Sequence, residues 1–150
     1  MAKTVNFGII YGMSPYGLSQ ALGVDVDSAA QFINSYFERY PKVKTYLDSV
    51  IQFAKKNGYV LTLKGRRRYI PEINSPDIRV RQFAERIAVN TPIQGTAADL
   101  IKVAMINIHR FLSENACDTE MIIQVHDELV FDVPKNELKD IKSTVKDKME

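Results

Sequence analysis

Residues 120–133 read EMIIQVHDELVFDV, and this stretch decides the fold. Two runs rich in β-branched and other apolar residues, Glu120–Val125 and Glu128–Val133, are separated only by His126 and Asp127. Runs of this composition favour strands, and a connection of two residues favours a tight hairpin. The segment therefore predicts an antiparallel β-hairpin with a polar, ionisable tip.

Asp127 and Glu128 are consecutive acids at this tip, and they follow a strand that we expect to be buried. Adjacent carboxylates repel each other when both are ionised, so a cation is their natural partner. Phosphoryl transfer commonly uses Mg²⁺ held by carboxylates, where one ion activates the attacking oxygen and another steadies the leaving pyrophosphate. We therefore predict Asp127 as a metal ligand and Glu128 as a weaker ligand or an electrostatic helper.

Two other interpretations of the tip stay open on the residues alone. An Asp-Glu pair at a turn is usually only solvated, and a nearby histidine need not be catalytic. A hydrolase that uses His126 and Asp127 is also conceivable, although no recognisable motif singles out a serine or cysteine nucleophile.

Helical patterns flank the hairpin on both sides. After it, Leu138, Ile141, Val145 and Met149 have the spacing of an amphipathic helix. Before it, a helical pattern runs from about Asp77 to Glu114, and Pro92 should kink or offset this helix. The second half of the long pattern predicts a stripe that faces the core, formed by Ala97, Ile101, Ala104, Ile108 and Phe111.

The first half of the long pattern carries a polar ridge. At about 100° per residue, four polar side chains all fall within about 60° of Arg79, those of Gln82, Arg86, Asn90 and Gln94. Phe83 intrudes on this ridge. Amide and guanidinium groups suit contacts with phosphates and with minor-groove acceptors, whereas a merely solvated helix face is the plainer alternative. An apolar arc adjoins the ridge and should pack inward, and it comprises Val80, Ala84, Ile87 and Ala88.

A small basic hairpin is predicted upstream, from Tyr59–Leu63 and Arg67–Ile70 around a turn at Lys64-Gly65. Its run of lysine and arginine side chains offers a local anion-binding surface. Anion binding and simple structural pairing explain this hairpin equally well, and we assign it no catalytic role.

The first part of the chain reads as helices over Ala2–Tyr11, about Tyr16–Leu22, a stretch capped by Asp25 or Asp27 that reaches Tyr40, and about Pro41–Lys56. In the first of them, Lys3, Phe7 and Tyr11 are four residues apart and share one face. A cation followed by two aromatic rings matches a nucleoside triphosphate. The alternative is an amphipathic helix whose two rings lie in the core.

Composition sets broad limits. The 150 residues include 45% apolar and 25% charged residues, and the net charge is only +2. No transmembrane run or signal peptide is evident, so we expect a cytoplasmic protein, or an organellar or nucleoid one in a eukaryote. The single Cys117 excludes an internal disulfide and a thiol cluster. The chain starts inside a helical pattern and stops without a C-cap, which predicts that both ends are cut boundaries.

Three blocks and one shorter segment of the sequence resemble the family A DNA polymerases. Lys3–Gly12 fits the Lys-x3-Phe-Gly-x2-Tyr-Gly pattern of motif B, the fingers helix of that family. Asn90–Asp99 looks like the long palm helix, Val125–Glu128 resembles motif C, and residues 65–69 match a Gly-Arg-Arg-Arg-Tyr segment. Phage-type RNA polymerases share the Lys and Tyr-Gly of motif B but differ at the Phe-Gly pair, so the DNA enzyme is favoured.

The resemblance implies roles for the opening helix and the residue that follows it. Lys3 would hold the incoming triphosphate, Phe7 would pack against the deoxyribose, and Tyr11 would guard the template side of the new base pair. Ser14 would lie beside the template.

The resemblance also implies roles in the long helix and at the hairpin tip. Arg86 would touch the template, while Asn90 and Gln94 would contact the duplex near the primer end. In motif C the aspartate binds the catalytic metals, the glutamate lies close by, and the histidine approaches the primer terminus; these positions are Asp127, Glu128 and His126.

The implied fold is α+β and helix-rich: fingers over residues 1–75, then over 76–150 part of a palm with a long helix, the metal-binding hairpin and a terminal helix. The implied activity is template-directed addition of deoxynucleotides to a primer 3′ end, in replication or repair. Its partners are primer–template DNA, deoxynucleoside triphosphates and the rest of the polymerase chain, with no membrane. The alternative is a non-catalytic primer–template binding module or a folded fragment.

Two further parts of the family pattern are expected upstream of Met1. They are the second metal-binding aspartate, in motif A, and an arginine four residues before Lys3. We therefore predict that this chain supplies only part of a two-metal Mg²⁺ site.

Overall fold

The computed structural model describes residues 2–150. In chain order the helices are α1 (Ala2–Ile10), α2 (Pro15–Leu22), α3 (Val26–Arg39), α4 (Pro41–Asn57), α5 (Ile78–Glu114) and α6 (Leu138–Met149). The strands are β1 (Tyr59–Leu61), β2 (Arg67–Tyr69), β3 (Glu120–Val125) and β4 (Glu128–Asp132), and a 3₁₀ turn spans Pro71–Asn74. The helix-rich α+β class is thus confirmed. Within the described range, no helix combines the length and apolar character needed to cross a bilayer.

Local capping chemistry explains where the early helices begin and end. Ser14 caps α2, because its Oγ accepts a hydrogen bond from the backbone N–H of Gly17 at 3.1 Å. Asp25, rather than Asp27, caps α3 by accepting from the N–H of Ser28 at 2.7 Å. Gly23 ends α2 with a φ of 70°, in the left-handed region that glycine tolerates.

Contacts divide the chain into two compact units. One ends at Thr96 and the other spans Ala97–Glu150. The division falls inside α5, whereas the boundary expected from the sequence lies between residues 75 and 76. The assignment of residues 1–75 to fingers and of 76–150 to a palm stays a prediction.

The first unit has a core made by α4, the basic hairpin, the 3₁₀ turn and the start of α5. Its buried members are Ala54, Val60, Ile70, Ile73, Ala84 and Ala88. The predicted inward arc of α5 is therefore confirmed at Ala84 and Ala88, and Ile87 packs against them half-buried. It is wrong for Val80, which is 40% exposed because it lies in the first turn of the helix, before the buried cluster.

The basic hairpin β1–β2 is fixed to α5 at Gly95. The backbone N–H of Leu63 donates to Oγ1 of Thr96 at 3.0 Å, and Nη2 of Arg66 donates to the carbonyl of Gly95 at 3.1 Å. A Cβ atom at Gly95 would lie only 2.7 Å from Cγ2 of the buried Thr62. Glycine is required here because the hairpin approaches the helix backbone closely.

This close approach predicts a destabilised Gly95→Ala variant. The added methyl would force a shift that costs about 1–3 kcal/mol, offset by the roughly 1 kcal/mol that alanine gains over glycine in a helix. We expect a net loss of about 1 kcal/mol, measured by urea denaturation. Adding Thr62→Ser removes Cγ2 but keeps the hydroxyl that binds the N–H of Arg66, so the double variant should regain stability. A double variant as unstable as Gly95→Ala would contradict this explanation.

Pro92 lies inside α5, which is assigned as one helix through this residue. Thr96, one turn later, donates its hydroxyl to the carbonyl of Pro92 while accepting from Leu63. The proline therefore lies at the point of α5 where the basic hairpin is attached.

The second unit packs β4 and α6 against the end of α5. Its buried residues are Ile108, Leu112 and Ile141. The predicted stripe is confirmed at Ala104 and Ile108, which are buried, but it is wrong at Ala97, which is exposed. Ala97 lies about three turns before Ile108, whereas the apolar partners of this unit are gathered at the other end of the helix.

The strand before the hairpin tip is not buried, contrary to the expectation from its sequence. Ile122 and Ile123 are 57% and 53% exposed. Antiparallel pairs share a face, and the face that carries Met121, Leu129 and Phe131 turns towards the helices. The opposite face of this two-stranded sheet is uncovered by any residue that the structure describes, which leaves Ile123 exposed.

A carboxylate ties together the two loops that flank the hairpin. Glu137 accepts hydrogen bonds from the hydroxyl of Thr119 at 2.6 Å, from its N–H at 3.1 Å, and from the N–H of Asp118 at 3.0 Å. The Thr119 hydroxyl, followed by the Asp118 N–H, holds the pKa of Glu137 below its ordinary value. The ionised form is therefore the one that the folded state favours.

This lowered pKa predicts an acid-sensitive contribution to stability. The contribution is fully present above the unfolded-state pKa of Glu137 and is lost as pH falls through the lower folded-state pKa. Glu137→Gln should be less stable than the wild type at neutral pH, and the difference should shrink as pH falls below about 4. Thermal unfolding across this range measures it, with the exposed Glu114→Gln as control. A difference independent of pH would exclude the ionised carboxylate as the cause.

Candidate functional site

A cation and two aromatic rings stand in a row along α1 and the turn that follows it. Nζ of Lys3 lies 5.8 Å from the ring centroid of Phe7, and that centroid lies 5.9 Å from the ring centroid of Tyr11. Phe7 is 49% exposed, whereas Ile9 on the other side of the helix is 2% exposed. The alternative that both rings lie in the core is therefore wrong for Phe7, whereas Tyr11 is half-buried. The Phe7 ring is accessible to a ligand.

Ser14 and Arg86 meet at one cavity of the first unit. This cavity of about 270 Å³ has an apolar floor that includes Ile9 and Phe37, and both polar side chains line it. Gly12, with a φ of 73°, also lines it, and a Cβ there would lie 3.4 Å from Cγ of Arg86. The turn after α1 thus runs directly against the arginine of α5.

The polar ridge of α5 is mostly accessible. Arg79, Gln82, Arg86 and Gln94 are exposed, and Asn90 is half-buried. Oδ1 of Asn90 is a buried atom with no hydrogen-bond partner among the described residues. Phe83, which interrupts the ridge, is 59% exposed, and the Arg86 guanidinium lies over its ring at 5.6 Å. An exposed aromatic among polar groups suits a surface that contacts a ligand.

Gln94 lies apart from the cavity that Ser14 and Arg86 share. It lines a second groove, next to the arginines of the basic hairpin. The structure therefore brings two of the predicted DNA-binding residues together and associates a third with a segment to which the sequence assigned no definite role.

The tip of the β3–β4 hairpin is a two-residue loop. Val125 pairs with Glu128, which leaves His126 and Asp127 unpaired. His126 has a φ of 55°, in the left-handed region, and Asp127 has no positive φ. A positive φ only at the first loop residue is typical of a type II′ turn, where glycine is usual. A histidine held in this conformation is uncommon and carries a cost in strain.

Gln124 supports this strained tip. Its Nε2 donates a 2.7 Å hydrogen bond to the backbone carbonyl of His126. Sequence reasoning did not assign Gln124 a role, although an amide two residues before a histidine in a tight turn is a usable signal. The side chains of His126, Asp127 and Glu128 are all exposed.

The tip can supply part of a magnesium site. Mg²⁺ usually retains several waters and takes one or two protein carboxylates together with substrate phosphates. Asp127 and Glu128 offer exposed, adjacent carboxylates of this kind. No group of three or more His, Cys, Asp or Glu side chains that could hold a metal is found in the part of the chain that the structure describes. The two acids therefore fit a magnesium ion as a partial ligand set.

Comparisons of sequence and of structure both find DNA polymerases that are similar to this chain. The family model for DNA polymerase family A matches residues 1–150. The chain is 53% identical over 149 residues to DNA polymerase I of Caldicellulosiruptor bescii and 51% identical to that of Bacillus subtilis. These matches cover 99% of this chain but only 18% and 17% of the two relatives.

A solved structure is also similar. It is the POL domain of Pol1 from M. smegmatis in complex with DNA primer-template and dNTP, with a TM-score of 0.92 and 43% sequence identity. The match covers 98% of this chain and 26% of that one. The chain thus spans about a quarter or less of the length of each of these proteins.

Proposed function

Because the chain belongs to DNA polymerase family A, we propose that it forms the part of a template-directed DNA polymerase that grips the incoming nucleotide and carries one metal-binding turn. The activity is the addition of deoxynucleotides to a primer 3′ end. The observation that carries the proposal is the row along α1 and the turn that follows it, where Lys3, Phe7 and Tyr11 follow one another in contact range.

The proposed nucleotide site uses each group of that row differently. The Lys3 ammonium pairs with the triphosphate, which is a charge-assisted interaction. Phe7 packs against the deoxyribose, and Tyr11 lies on the template side of the new base pair. The ammonium lies near the Phe7 ring, a weak exposed contact that a phosphate group can replace.

The proposed template and duplex contacts come from Ser14 and from α5. Ser14 and Arg86 line one cavity beside the end of α1, which supports a common role next to the template. Asn90 and Gln94 follow on the same helix and contact the duplex near the primer end. Amide groups of this kind bind duplex DNA without strong sequence preference, as a replicating enzyme requires.

The proposed catalytic contribution of the second unit is the hairpin tip. Asp127 would hold Mg²⁺ with Glu128 nearby, and His126 would approach the primer terminus. When bound, Mg²⁺ supplies Lewis-acid stabilisation of the charge that develops on the reacting phosphate and oxygens. Both carboxylates are exposed at the tip and are therefore accessible to an ion. The hydrogen bond from Gln124 holds the backbone carbonyl of His126, which lies between β3 and the two acids.

The proposal extends to the context of the enzyme. Residues 1–75 serve as fingers and residues 76–150 as part of the palm, and the rest of a polymerase chain completes the two-metal site. The protein acts in the cytoplasm, or in an organelle or nucleoid if it is eukaryotic, during DNA replication or repair.

A chimera tests the polymerase proposal. The chain replaces the matching 149-residue segment of DNA polymerase I of Bacillus subtilis, and primer extension is measured with Mg²⁺ and all four deoxynucleotides. We expect the chimera to extend the primer, whereas the same polymerase with the segment deleted should not. A chimera that is folded and binds primer–template but does not extend the primer would contradict the proposal.

A second candidate function is a non-catalytic primer–template binding module. The observation that favours it is the exposed polar ridge of α5 together with the exposed arginines of the basic hairpin. A titration of the 150-residue chain alone with duplex DNA, at several salt concentrations, tests this function. Binding that weakens with salt supports it, and the absence of binding excludes it.

A further inference from the structure

The basic hairpin and α5 enclose a groove of about 410 Å³ that carries positive charge. Its lining consists of Thr62, Arg66, Arg67, Arg68, Thr91, Gln94 and Gly95. None of the residues in this lining is acidic. An anion is the chemical class that such a groove favours.

The three arginines of the groove are not equivalent. Arg66 is engaged with α5, because its Nη2 donates to the carbonyl of Gly95 at 3.1 Å and its N–H donates to Oγ1 of Thr62. The Arg67 guanidinium lies over the Tyr59 ring at 4.9 Å. The Arg68 side chain is exposed, and its guanidinium has no hydrogen-bond or ion-pair partner among the residues that the structure describes.

The strand register directs Arg68 towards α5. Val60 pairs with Arg68 across the β1–β2 hairpin, and paired residues project from the same face. Val60 is 1% exposed and belongs to the core that includes Ala84 and Ala88 of α5. The free guanidinium therefore lies on the α5 side of the hairpin, in the groove that Gln94 also lines.

The groove is rigid before any ligand arrives. The hydrogen bond from Leu63 to Thr96, the Arg66 contact and the close approach at Gly95 fix the hairpin to the helix. These contacts hold the backbone that carries Arg68, whose planar guanidinium is well suited to a phosphate group because it can donate two parallel hydrogen bonds. Little loop ordering therefore remains to oppose binding.

We propose that Arg68 binds a backbone phosphate of duplex DNA, so that the β1–β2 hairpin clamps the strand whose bases Gln94 contacts. This inference rests on the proposed function. It adds one contact with the DNA backbone, made by Arg68 of the basic hairpin. Arg66 and Gly95 act as positioning residues that hold the hairpin in place. The phosphate is that of the DNA backbone and not that of the incoming nucleotide.

The experiment measures binding of a short primer–template duplex to the 150-residue chain by fluorescence anisotropy over a range of salt concentrations. Removing one phosphate contact lowers the slope of log K against log salt by about 0.9, which corresponds to about eightfold weaker binding at about 0.1 M salt. We expect this change for Arg68→Gln. Arg68→Lys should keep the slope, because the cation is retained.

Arg39→Gln serves as the matched control, since it removes the same charge from the exposed last turn of α3. Its slope should equal that of the wild type. Thermal unfolding of all variants checks folding, and Arg68→Gln should unfold like the wild type because Arg68 has no described partner to lose.

The outcomes separate this inference from the proposed function. If the wild type binds the duplex and Arg68→Gln matches Arg39→Gln, the inference is wrong and DNA binding stands. If the wild type binds no duplex, DNA binding by this chain fails and the phosphate contact fails with it. A titration with a fluorescent deoxynucleoside triphosphate separates the two phosphate sources. A loss confined to triphosphate binding in Arg68→Gln would also overturn the inference.

Discussion

Asp127→Asn in the chimeric polymerase is expected to lower the rate of primer extension about a thousandfold. A metal ion acting as a Lewis acid contributes several kcal/mol to such a reaction, and about 4 kcal/mol corresponds to this factor. The amide keeps the size of the side chain but removes the negative charge that Mg²⁺ requires. Single-turnover primer extension at saturating nucleotide measures the effect.

The controls for this prediction lie on the same hairpin. Asp132→Asn makes the same chemical change at the far end of β4, where Asp132 pairs with Glu120, and it should retain the rate of extension. Asp127 is exposed, so its replacement should leave the thermal unfolding of the chimera unchanged. Similar rates for the two variants would refute the role of Asp127 as a metal ligand.

Lys3→Ala is expected to raise the KM for deoxynucleoside triphosphate by about 10- to 100-fold. Hydrogen bonds to charged groups contribute about 1.5–3 kcal/mol, and each 1.4 kcal/mol is a factor of about ten in affinity. The Lys3 side chain is exposed, and among the described residues its ammonium contacts only the Phe7 ring. The loss should therefore fall on nucleotide binding and not on folding. Steady-state extension over a range of nucleotide concentrations measures the effect.

Two variants make this prediction specific. Lys3→Arg keeps the charge and should recover most of the nucleotide affinity, whereas Lys102→Ala removes an exposed lysine from the middle of α5 and should have no effect. The affinity for primer–template should be the same in all three variants. A parallel loss of primer–template affinity in Lys3→Ala would assign the lysine to the DNA instead.

The helices could be predicted from the sequence because residues within one turn of each end determine where they begin and end. Ser14 and Asp25 are N-caps, Pro15 and Pro41 stand at first helical positions, and Gly23 ends a helix. Each acts within one turn, so periodicity and capping determine them without tertiary information. The two hairpins were predictable for the same reason, since their loops are short.

Burial was less predictable, because it depends on which neighbours cover a given face. The apolar letters of β3 suggested a buried strand, yet Ile122 and Ile123 are more than half exposed. The same uncertainty affected Val80 and Ala97, which continue apolar patterns beyond the part of α5 that is covered. A periodic pattern identifies a face but not the length over which that face is packed.

For the candidate site, too, local sequence was informative and long-range contacts were not predictable. The letters of the motifs suggested every predicted site residue, but their roles remain proposals for the experiments above. Contacts between distant segments could not be predicted from the sequence. One example is the packing of Thr62 against Gly95, and both residues line the groove that contains Arg68. These contacts join residues about thirty positions apart, and no local rule relates them.

The left-handed backbone conformation of His126 should make folding and catalysis favour different residues at this position. In a library that varies this position, a screen for soluble folded protein should enrich glycine and asparagine, because both relax the strain at a φ of 55°. A screen for DNA synthesis should enrich the imidazole that the proposed role requires. Such a result would mean that histidine is kept at this position for catalysis, although the backbone conformation favours another residue.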